Sequence, residues 1–244
     1  MFKLSTGLVT SVLVTLVPVT SVLLTPLARA QDLSADEVLA NLEARSNALQ
    51  DVSFLLTGTL YDTDAQEIAL EVESQFIPGE ELVKAYFLQP DALTDNFIVA
   101  DGETVYNYLF VTNQVTILDA SDPEALGGLL PEGQQGGAVN LTPDLGRLFS
   151  SDSWKATVEG YEESDGGPVY RLRFDNLEPN ANIDHVTTTI LDIEWLPQTL
   201  TFAQENGSTL AELQFQDYAV DTGLDPAELR ELPGDAERID QREQ

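Results

Sequence analysis

Apolar and polar side chains alternate with a period of two along most of this chain, and this alternation constrains the fold more than any other feature. Successive side chains of a β-strand point to opposite faces, so such a segment is predicted to be a strand with one buried and one wet face. The clearest case is Gln66–Phe76, where the intervening positions are mainly Glu and Gln. Its apolar positions are Ile68, Leu70, Val72 and Phe76. The pattern predicts a mainly β (α+β) domain with antiparallel strands.

Strands of the same kind are predicted along the rest of the chain, with turn-forming residues between them. Asp101-Gly102 and Asn206-Gly207 are the most distinct turns, and residues of these types favour tight hairpins. Successive hairpins of this kind make a meander. The further strands predicted are Val52–Tyr61, Leu82–Leu88, Phe97–Ala100, Thr104–Phe110, Val115–Leu118, Trp154–Tyr161, Val169–Phe174, Ile183–Ile193, Gln198–Gln204 and Thr209–Val220.

One long helix is predicted over Ser34–Leu49. Ser34 is followed three residues later by Glu37, which is the signature of a capping box at a helix start. Val38 and Leu42 recur on one face of this helix, so we expect it to pack on an apolar surface of the sheet.

Two segments depart from the strand pattern. Residues 119–146 are rich in Gly and Pro, and with a short helical turn up to about residue 150 they are predicted to form a loop or lid. The acidic tail from Asp221 onward is predicted to end in a loosely held strand or arm.

The first thirty residues are predicted to be a signal peptide. A basic N-terminal start is followed by the apolar run Leu8–Leu24 and by the small-x-small sequence Ala28-Arg29-Ala30, which predicts cleavage between Ala30 and Gln31. An uncleaved anchor is the alternative, because the run nears the roughly 18 residues that span a bilayer. We therefore expect an exported, soluble, periplasmic protein with a single domain over residues 31–244.

The charge and the absence of cysteine exclude several classes of function. Asp and Glu number 42 against 11 Lys and Arg, for a formal net charge of −31. Such a charge repels nucleic acid and anionic membranes; attraction to basic partners or cations and simple solubility both remain open. Without cysteine there is no disulfide, no thiol chemistry and no site for lipid attachment after the signal.

No arrangement of residues in the sequence predicts catalysis. The single His185 lies within a predicted strand, where a structural role is expected. Asp62 and Asp64 with Glu73 are weakly similar to a calcium loop, but Glu67 stands where that loop needs its glycine. We therefore expect a protein that is not an enzyme and has no cofactor or metal.

Several short motifs occur in an order that resembles a known family. The run Phe97–Tyr108 joins a strand ending in Asp-Gly to an aromatic-rich strand, and similar short motifs precede and follow it. In this order the chain resembles periplasmic outer-membrane lipoprotein carriers of the LolA type. The other motifs are Phe76-Ile77-Pro78, Gln89-Pro90, Leu191-Asp192, Leu196-Pro197, Asn206-Gly207, Phe215-Gln216-Asp217-Tyr218 and Leu232-Pro233-Gly234.

The resemblance implies an unclosed antiparallel β half-barrel, with an N-terminal helix and a short lid over an apolar cavity. It also implies a monomer that takes lipoprotein acyl chains from an inner-membrane releasing complex to an outer-membrane acceptor. The chain departs from the family after Ile77, where carriers commonly have an Arg that latches the lid. Here the segment reads Pro78-Gly79-Glu80-Glu81, with only Lys84 nearby.

Eight residues are predicted to bind the acyl chains. Alternation selects Ile68, Leu70, Val72 and Phe76, and the aromatic strands add Tyr86, Leu88, Tyr106 and Tyr108. Two other functions remain open for the same fold: an envelope-stress sensor or regulatory module that binds a lipid or a protein, and a structural envelope domain with a filled core.

Overall fold

The computed structural model describes residues 33–61, 66–120, 149, 153–164, 166–178 and 181–242. The chain divides into two units, Met1–Gln31 and Asp32–Gln244, and every described residue belongs to the second. The predicted signal peptide and the Asp62–Asp64 turn therefore lie outside the described residues. So does the predicted lid over 119–150, except for residues 119, 120 and 149.

The predicted N-terminal helix is present as α1 (Ala35–Ala48). The Ser34 side chain accepts a hydrogen bond from the backbone N–H of Glu37 at 3.3 Å, and the Glu37 carboxylate accepts one from the Ser34 N–H at 2.8 Å. These reciprocal bonds confirm the predicted capping box. The Ser34 N–H and hydroxyl both donate to the Glu37 carboxylate and lower the pKa of Glu37. Val38 and Leu42 are buried where α1 packs on the sheet.

Twelve strands form one sheet in the described part of the chain, and a second, short helix, α2 (Pro226–Leu229), precedes the last of them. The strands are β1 (Val52–Tyr61), β2 (Glu67–Ile77), β3 (Leu82–Gln89), β4 (Phe97–Asp101), β5 (Thr104–Leu109), β6 (Gln114–Asp119), β7 (Trp154–Ser164), β8 (Gly167–Asn176), β9 (His185–Leu191), β10 (Leu196–Ala203), β11 (Thr209–Val220) and β12 (Glu237–Asp240).

The sheet consists of two meanders joined at its centre. Strands β1 to β6 form one meander and β7 to β11 the other, and β1 pairs with β11 between them. All pairs are antiparallel except β12 with β6. Among the described strands, β12 and β7 are the two ends of the order and do not pair with each other. The expected unclosed, mainly β half-barrel is confirmed.

The predicted strand bounds agree closely with the observed ones, with one clear exception. The strand predicted over Ile183–Ile193 is shorter, because β9 ends at Leu191. The Trp195 N–H donates to the Leu191 carbonyl at 2.8 Å, and Trp195 has a positive φ of 53°. A turn therefore begins where alternation suggested that the strand continued.

The main core lies on one side of the sheet, which we call the inner face. It carries α1 and the even-numbered residues of β1, including Phe54 and Leu56, together with apolar residues of β2 to β5 and β8 to β11. Strand β1 approaches β11 so closely at Gly58 that an added Cβ would lie 2.0 Å from the Glu212 carbonyl oxygen. Only glycine fits there without moving the two central strands apart.

A smaller core lies on the opposite side, the outer face. Side chains of β3, β4, β5 and β6 pack there against Leu229 of α2, which is 3% exposed. The residues 221–242, here called the C-terminal arm, therefore cover part of the outer face. The prediction of a loosely held tail is wrong, because Arg230 bonds to Asp101 and Lys84 bonds to two arm carbonyls.

Neither helix in the described part of the chain has the length and apolar character needed to cross a membrane.

Candidate functional site

The four residues predicted on β2 lie together on the inner face. In the β1–β2 register, Val72 is opposite Leu56, and Phe76 is opposite Val52. Leu70, Val72 and Phe76 are buried in the main core, whereas Ile68 packs against its margin and is half-buried. Alternation alone therefore placed these four side chains on one surface, as predicted.

The three predicted tyrosines lie on the outer face instead. Tyr86 is opposite Phe97, and Phe97 is opposite Tyr108, with ring centroids 4.9 and 4.8 Å apart. Tyr106 is opposite Val99 on the same face. Phe97, Tyr106 and Tyr108 form part of the surface on which the C-terminal arm packs, away from the four residues of β2. Tyr86 lies against Phe97 and is 37% exposed.

Leu88 occupies an irregular position between β2 and β3. Val72 pairs with Phe87 and Glu71 pairs with Gln89, so Leu88 has no partner in the register. Its side chain is 36% exposed. Leu88 is not among the residues that pack in or against the main core with the residues of β2.

The inner face of β3 to β6 is lined by other residues, which the sequence prediction missed. Because Phe76 is opposite Val83, the inward positions of β3 are odd-numbered, whereas those of β2 are even-numbered. The pairing then carries this face to Ile98, Val105 and Leu118. The apolar residues added by this register are Val83, Ala85, Phe87, Ile98, Ala100, Val105 and Leu118.

Part of this inner surface is only half-buried. Ile68, Val83, Ala100 and Leu118 all pack against the main core while remaining partly accessible. Three polar residues, Ser74, Asn107 and Thr116, lie among the apolar ones in the same register. The face is therefore predominantly apolar, with a few polar groups at fixed positions.

The helix α1 is small relative to this face. A helix of 14 residues is about 21 Å long and about 10 Å wide. Twelve strands spaced by about 4.8 Å form a surface more than 50 Å across before curvature is considered. Among the described elements, α1 packs on β7, so this one helix covers a minor part of the inner face.

Aromatic side chains fill the other end of the inner face. Phe149 stacks on Phe174 with centroids 4.1 Å apart, and Tyr170 lies against Tyr161 at 4.7 Å. The Tyr161 hydroxyl donates to the Asp192 carboxylate at 2.8 Å, and this bond, together with burial, raises the pKa of Tyr161 to about 12. This end of the face is a packed aromatic cluster.

Lys84, the cation nearest to the position of the missing family Arg, lies on the outer face. It is 7% exposed, and its Nζ donates to the carbonyl oxygens of Glu228 and Glu231, each at 3.3 Å. The same atom lies 5.4 and 5.0 Å from the ring centroids of Tyr86 and Phe97. Burial lowers the pKa of Lys84, which Glu231 partly opposes. The side chain fastens the C-terminal arm and points away from the inner face.

His185, Glu67 and Glu73, which were singled out in the sequence, occupy outer-face positions. The His185 ring nitrogen Nδ1 lies 2.8 Å from the Asp184 carboxylate. Glu67 and Glu73 are exposed on β2, on the face opposite to that of Val72. In the described part of the chain, no group of three or more His, Asp or Glu side chains is placed to hold a metal ion.

In the described part of the chain, an open, mainly antiparallel sheet with an apolar inner face and one helix upon it defines a half-barrel scaffold. No protein-family model matches the chain, and no curated protein matches it significantly. Among solved structures, it is similar to an uncharacterized conserved protein from Thermus thermophilus, with a TM-score of 0.61 and 20% identity. That alignment covers 85% of this chain and 99% of the other.

Two further structures are similar to this chain. MucB aligns with a TM-score of 0.50 and 11% identity, over 84% of this chain and 65% of MucB. A putative outer membrane lipoprotein-sorting protein domain from Vibrio parahaemolyticus aligns with a TM-score of 0.47 and 13% identity. That alignment covers 80% of this chain and 95% of the other. The Thermus protein and MucB show the fold alone, and the third similarity is too low to add to that argument. The fold is an unclosed, mainly antiparallel half-barrel, which is the architecture that the sequence resemblance implied.

Proposed function

We propose that this protein is a non-catalytic periplasmic carrier, which binds lipoprotein acyl chains on the inner face of its sheet and moves them from the inner to the outer membrane. The half-buried apolar side chains of the inner face carry this proposal. Ile68, Val83, Ala100 and Leu118 present accessible apolar area beside a packed core. Val83, Ala100 and Leu118 lie in one row across β3 to β6, and Ile68 lies at the other end of β2. Accessible apolar area on a soluble domain is typical of a binding surface.

Burial of acyl chains supplies the binding free energy in this proposal. Each methylene removed from water contributes about 0.8 kcal/mol. A chain lying on β2 to β6 gains that energy without a directional bond, so the ligand is free to leave when a partner offers a comparable surface. This suits a carrier that receives its cargo from an inner-membrane releasing complex and delivers it to an outer-membrane acceptor.

The residues proposed to contact the chains differ from the set predicted by sequence. The four β2 residues remain, and Val83 and Leu118 join them through the register of the sheet. Tyr86, Tyr106 and Tyr108 are proposed to support the C-terminal arm, since they belong to the outer face.

The compartment is part of the same proposal. The predicted signal peptide directs export, and cleavage after Ala30 would release a protein without a lipid anchor, because the chain has no cysteine. The net charge of −31 disfavours lasting contact with anionic membrane surfaces. A soluble domain that carries lipid between two membranes is consistent with both features.

The test compares two adjacent residues of β6 that face opposite ways. Leu118 lies on the inner face and Ile117 packs on the outer face, and both are half-buried. Leu118→Gln is expected to weaken binding of a fluorescent fatty acyl probe by roughly five- to twentyfold, because a polar amide replaces buried apolar area. Ile117→Gln is the matched control and should leave probe affinity within about twofold of the parent.

Transport is tested separately with inner-membrane vesicles that bear a labelled lipoprotein. A soluble complex of the protein with that lipoprotein, followed by transfer to outer-membrane vesicles, is the expected result. Uptake without onward transfer would instead indicate a lipid-sensing module. Absence of both probe binding and complex formation would reject lipid carriage.

A further inference from the structure

An unpartnered polar atom lies on the inner face at β5. The Oδ1 atom of Asn107 is buried and has no hydrogen-bond partner within the described part of the chain. The residue as a whole is half-buried. A buried carbonyl oxygen without a donor costs folding free energy, and such groups are rare in native proteins.

The pairing of β5 places this amide among apolar side chains. Asn107 is opposite Ile98 on β4 and opposite Thr116 on β6, with Cβ atoms expected about 5 Å away. Val105, two residues earlier on the same face, is 2% exposed, and Ile98 is 3% exposed. Tyr106 and Tyr108 face the other way, so no aromatic hydroxyl reaches the Asn107 oxygen along its own strand.

We propose that Asn107 Oδ1 accepts a hydrogen bond from the ligand, and that the inner face therefore selects lipids with a hydrogen-bond donor beside the acyl chain. This inference rests on the proposed function, which supplies the acyl chain. The apolar neighbours hold the hydrocarbon, and Asn107 fixes where along the face its polar end lies. An amide N–H and a hydroxyl O–H both satisfy this chemistry.

Because Asn107 lies among apolar side chains, an apolar residue at this position would make the folded state more stable than asparagine does. Leucine has nearly the shape of asparagine and buries no acceptor, so Asn107→Leu should not lower the thermal unfolding midpoint. A polar residue kept at a cost to stability indicates a role in binding.

The experiment uses three fluorescent probes with the same saturated chain and the same fluorophore. They are joined by an amide, by an ester with a neighbouring hydroxyl, or by a plain ester that has no donor. The parent protein is expected to bind at least one donor-bearing probe roughly three- to tenfold more tightly than the plain ester. The comparison of amide with hydroxy-ester identifies which donor the site prefers.

The variants separate this inference from the proposed function. In Asn107→Leu the preference should disappear, with plain-ester affinity unchanged or higher, while in Thr116→Val the preference should persist. Equal binding of all three probes by the parent would overturn the role of Asn107 and leave lipid carriage standing. The role of Asn107 would also be overturned if Thr116→Val lost the preference while Asn107→Leu kept it. A markedly lower unfolding midpoint in Asn107→Leu would overturn it as well. Failure to bind any probe would reject the proposed function itself.

Discussion

Arg230 of the C-terminal arm holds the Asp101 carboxylate of β4 with two hydrogen bonds, from Nε at 2.8 Å and from Nη2 at 2.9 Å. A third bond joins its Nη1 to Glu80 at 2.7 Å. A planar guanidinium makes such a forked contact and an ammonium does not. We expect Arg230→Lys to loosen the arm although the charge is kept, with faster amide hydrogen exchange in α2 and β12.

A distant ion pair provides the control for that exchange measurement. Arg171 pairs with Glu162 between β8 and β7, far along the sheet from the arm. Arg171→Gln should leave exchange in the arm unchanged. Equal exchange in the Arg230→Lys variant and the parent would contradict an anchoring role for Arg230.

Asp51 fastens the start of the arm and gives a prediction for stability. Its carboxylate, 4% exposed, accepts bonds from the N–H groups of Thr222 and Gly223, both at 2.8 Å, from that of Leu224 at 3.3 Å, and from the Thr222 hydroxyl. Asp51→Ala would leave these donors without an acceptor and should lower the free energy of unfolding by about 1–3 kcal/mol. Urea denaturation measures this change. The Asp51→Asn variant should lose less free energy of unfolding than Asp51→Ala.

The same carboxylate predicts a dependence on pH. Burial alone would raise the pKa of Asp51, but the hydrogen bonds from Gly223, Thr222 and Leu224 outweigh it and hold the pKa below its ordinary value of 3.8. The stability that Asp51 contributes is therefore present above pH 3.8 and is lost as the pH falls through the lowered value. In Asp51→Asn, the decline of stability in this acid range should be shallower than in the parent.

Alternation predicted the strands well where one face is wet and failed to orient them where both faces are covered. On β2 the exposed Glu67 and Glu73 leave no doubt which positions face inward. On β4, neighbouring residues Ile98 and Val99 are both buried, one beneath each face. No polar position marks the outside of that strand, so the sequence could not assign its faces.

The facing of β3 depends on a turn whose geometry the sequence does not specify. A 3-10 turn at Pro78–Glu80 and the left-handed Glu81, with φ of 48°, set Leu82 opposite Ile77. One residue more or less would have exchanged the two faces of the strand. Tyr86 was therefore assigned to the binding surface although it lies on the other side.

Contacts between residues distant in the chain were beyond reach of the sequence for a different reason. Lys84 bonds to the carbonyls of Glu228 and Glu231, across 144 and 147 positions. These acceptors are backbone atoms, which every residue has. No residue type in the sequence therefore indicates the contact. For this reason the sequence predicts a loosely held acidic tail where the structure has an anchored arm.

A side chain added at Gly58, at the centre of the sheet, is expected to cause a severe packing defect. An added Cβ would lie 2.0 Å from the Glu212 carbonyl oxygen and 2.9 Å from the Leu213 Cα. Both atoms belong to the backbone of β11, so relief requires separating two paired strands. Gly58→Ala is expected to cost roughly 3 kcal/mol or more of unfolding free energy, at the upper end for overpacked cores.

Gly160 is the matched control for that substitution. It also lies in a strand, β7, but an added Cβ would have nothing within 4 Å. Gly160→Ala should leave the thermal midpoint unchanged or slightly raised, because alanine restricts the unfolded chain. Similar losses in the two variants would show that glycine itself, and not close strand approach, sets the effect.

The bond between Tyr161 and Asp192 predicts a loss of stability at high pH. Its hydroxyl donates at 2.8 Å, and the pKa of Tyr161 is raised from 10.0 to about 12. Because the folded state holds this proton more tightly, the contribution is complete below pH 10 and is lost as the pH rises towards about 12. The stability difference between the parent and Tyr161→Phe should therefore be largest below pH 10 and shrink above it.

Removing the acceptor tests the cause of this shift. The hydrogen bond to Asp192 is the main reason for the raised pKa of Tyr161, with burial second. In Asp192→Asn the carboxylate charge is absent, so the pKa of Tyr161 should return towards 10.0. Absorbance titration of the phenolate follows this directly, with one tyrosine ionising earlier than in the parent. An unchanged titration curve would mean that burial alone holds the proton on Tyr161.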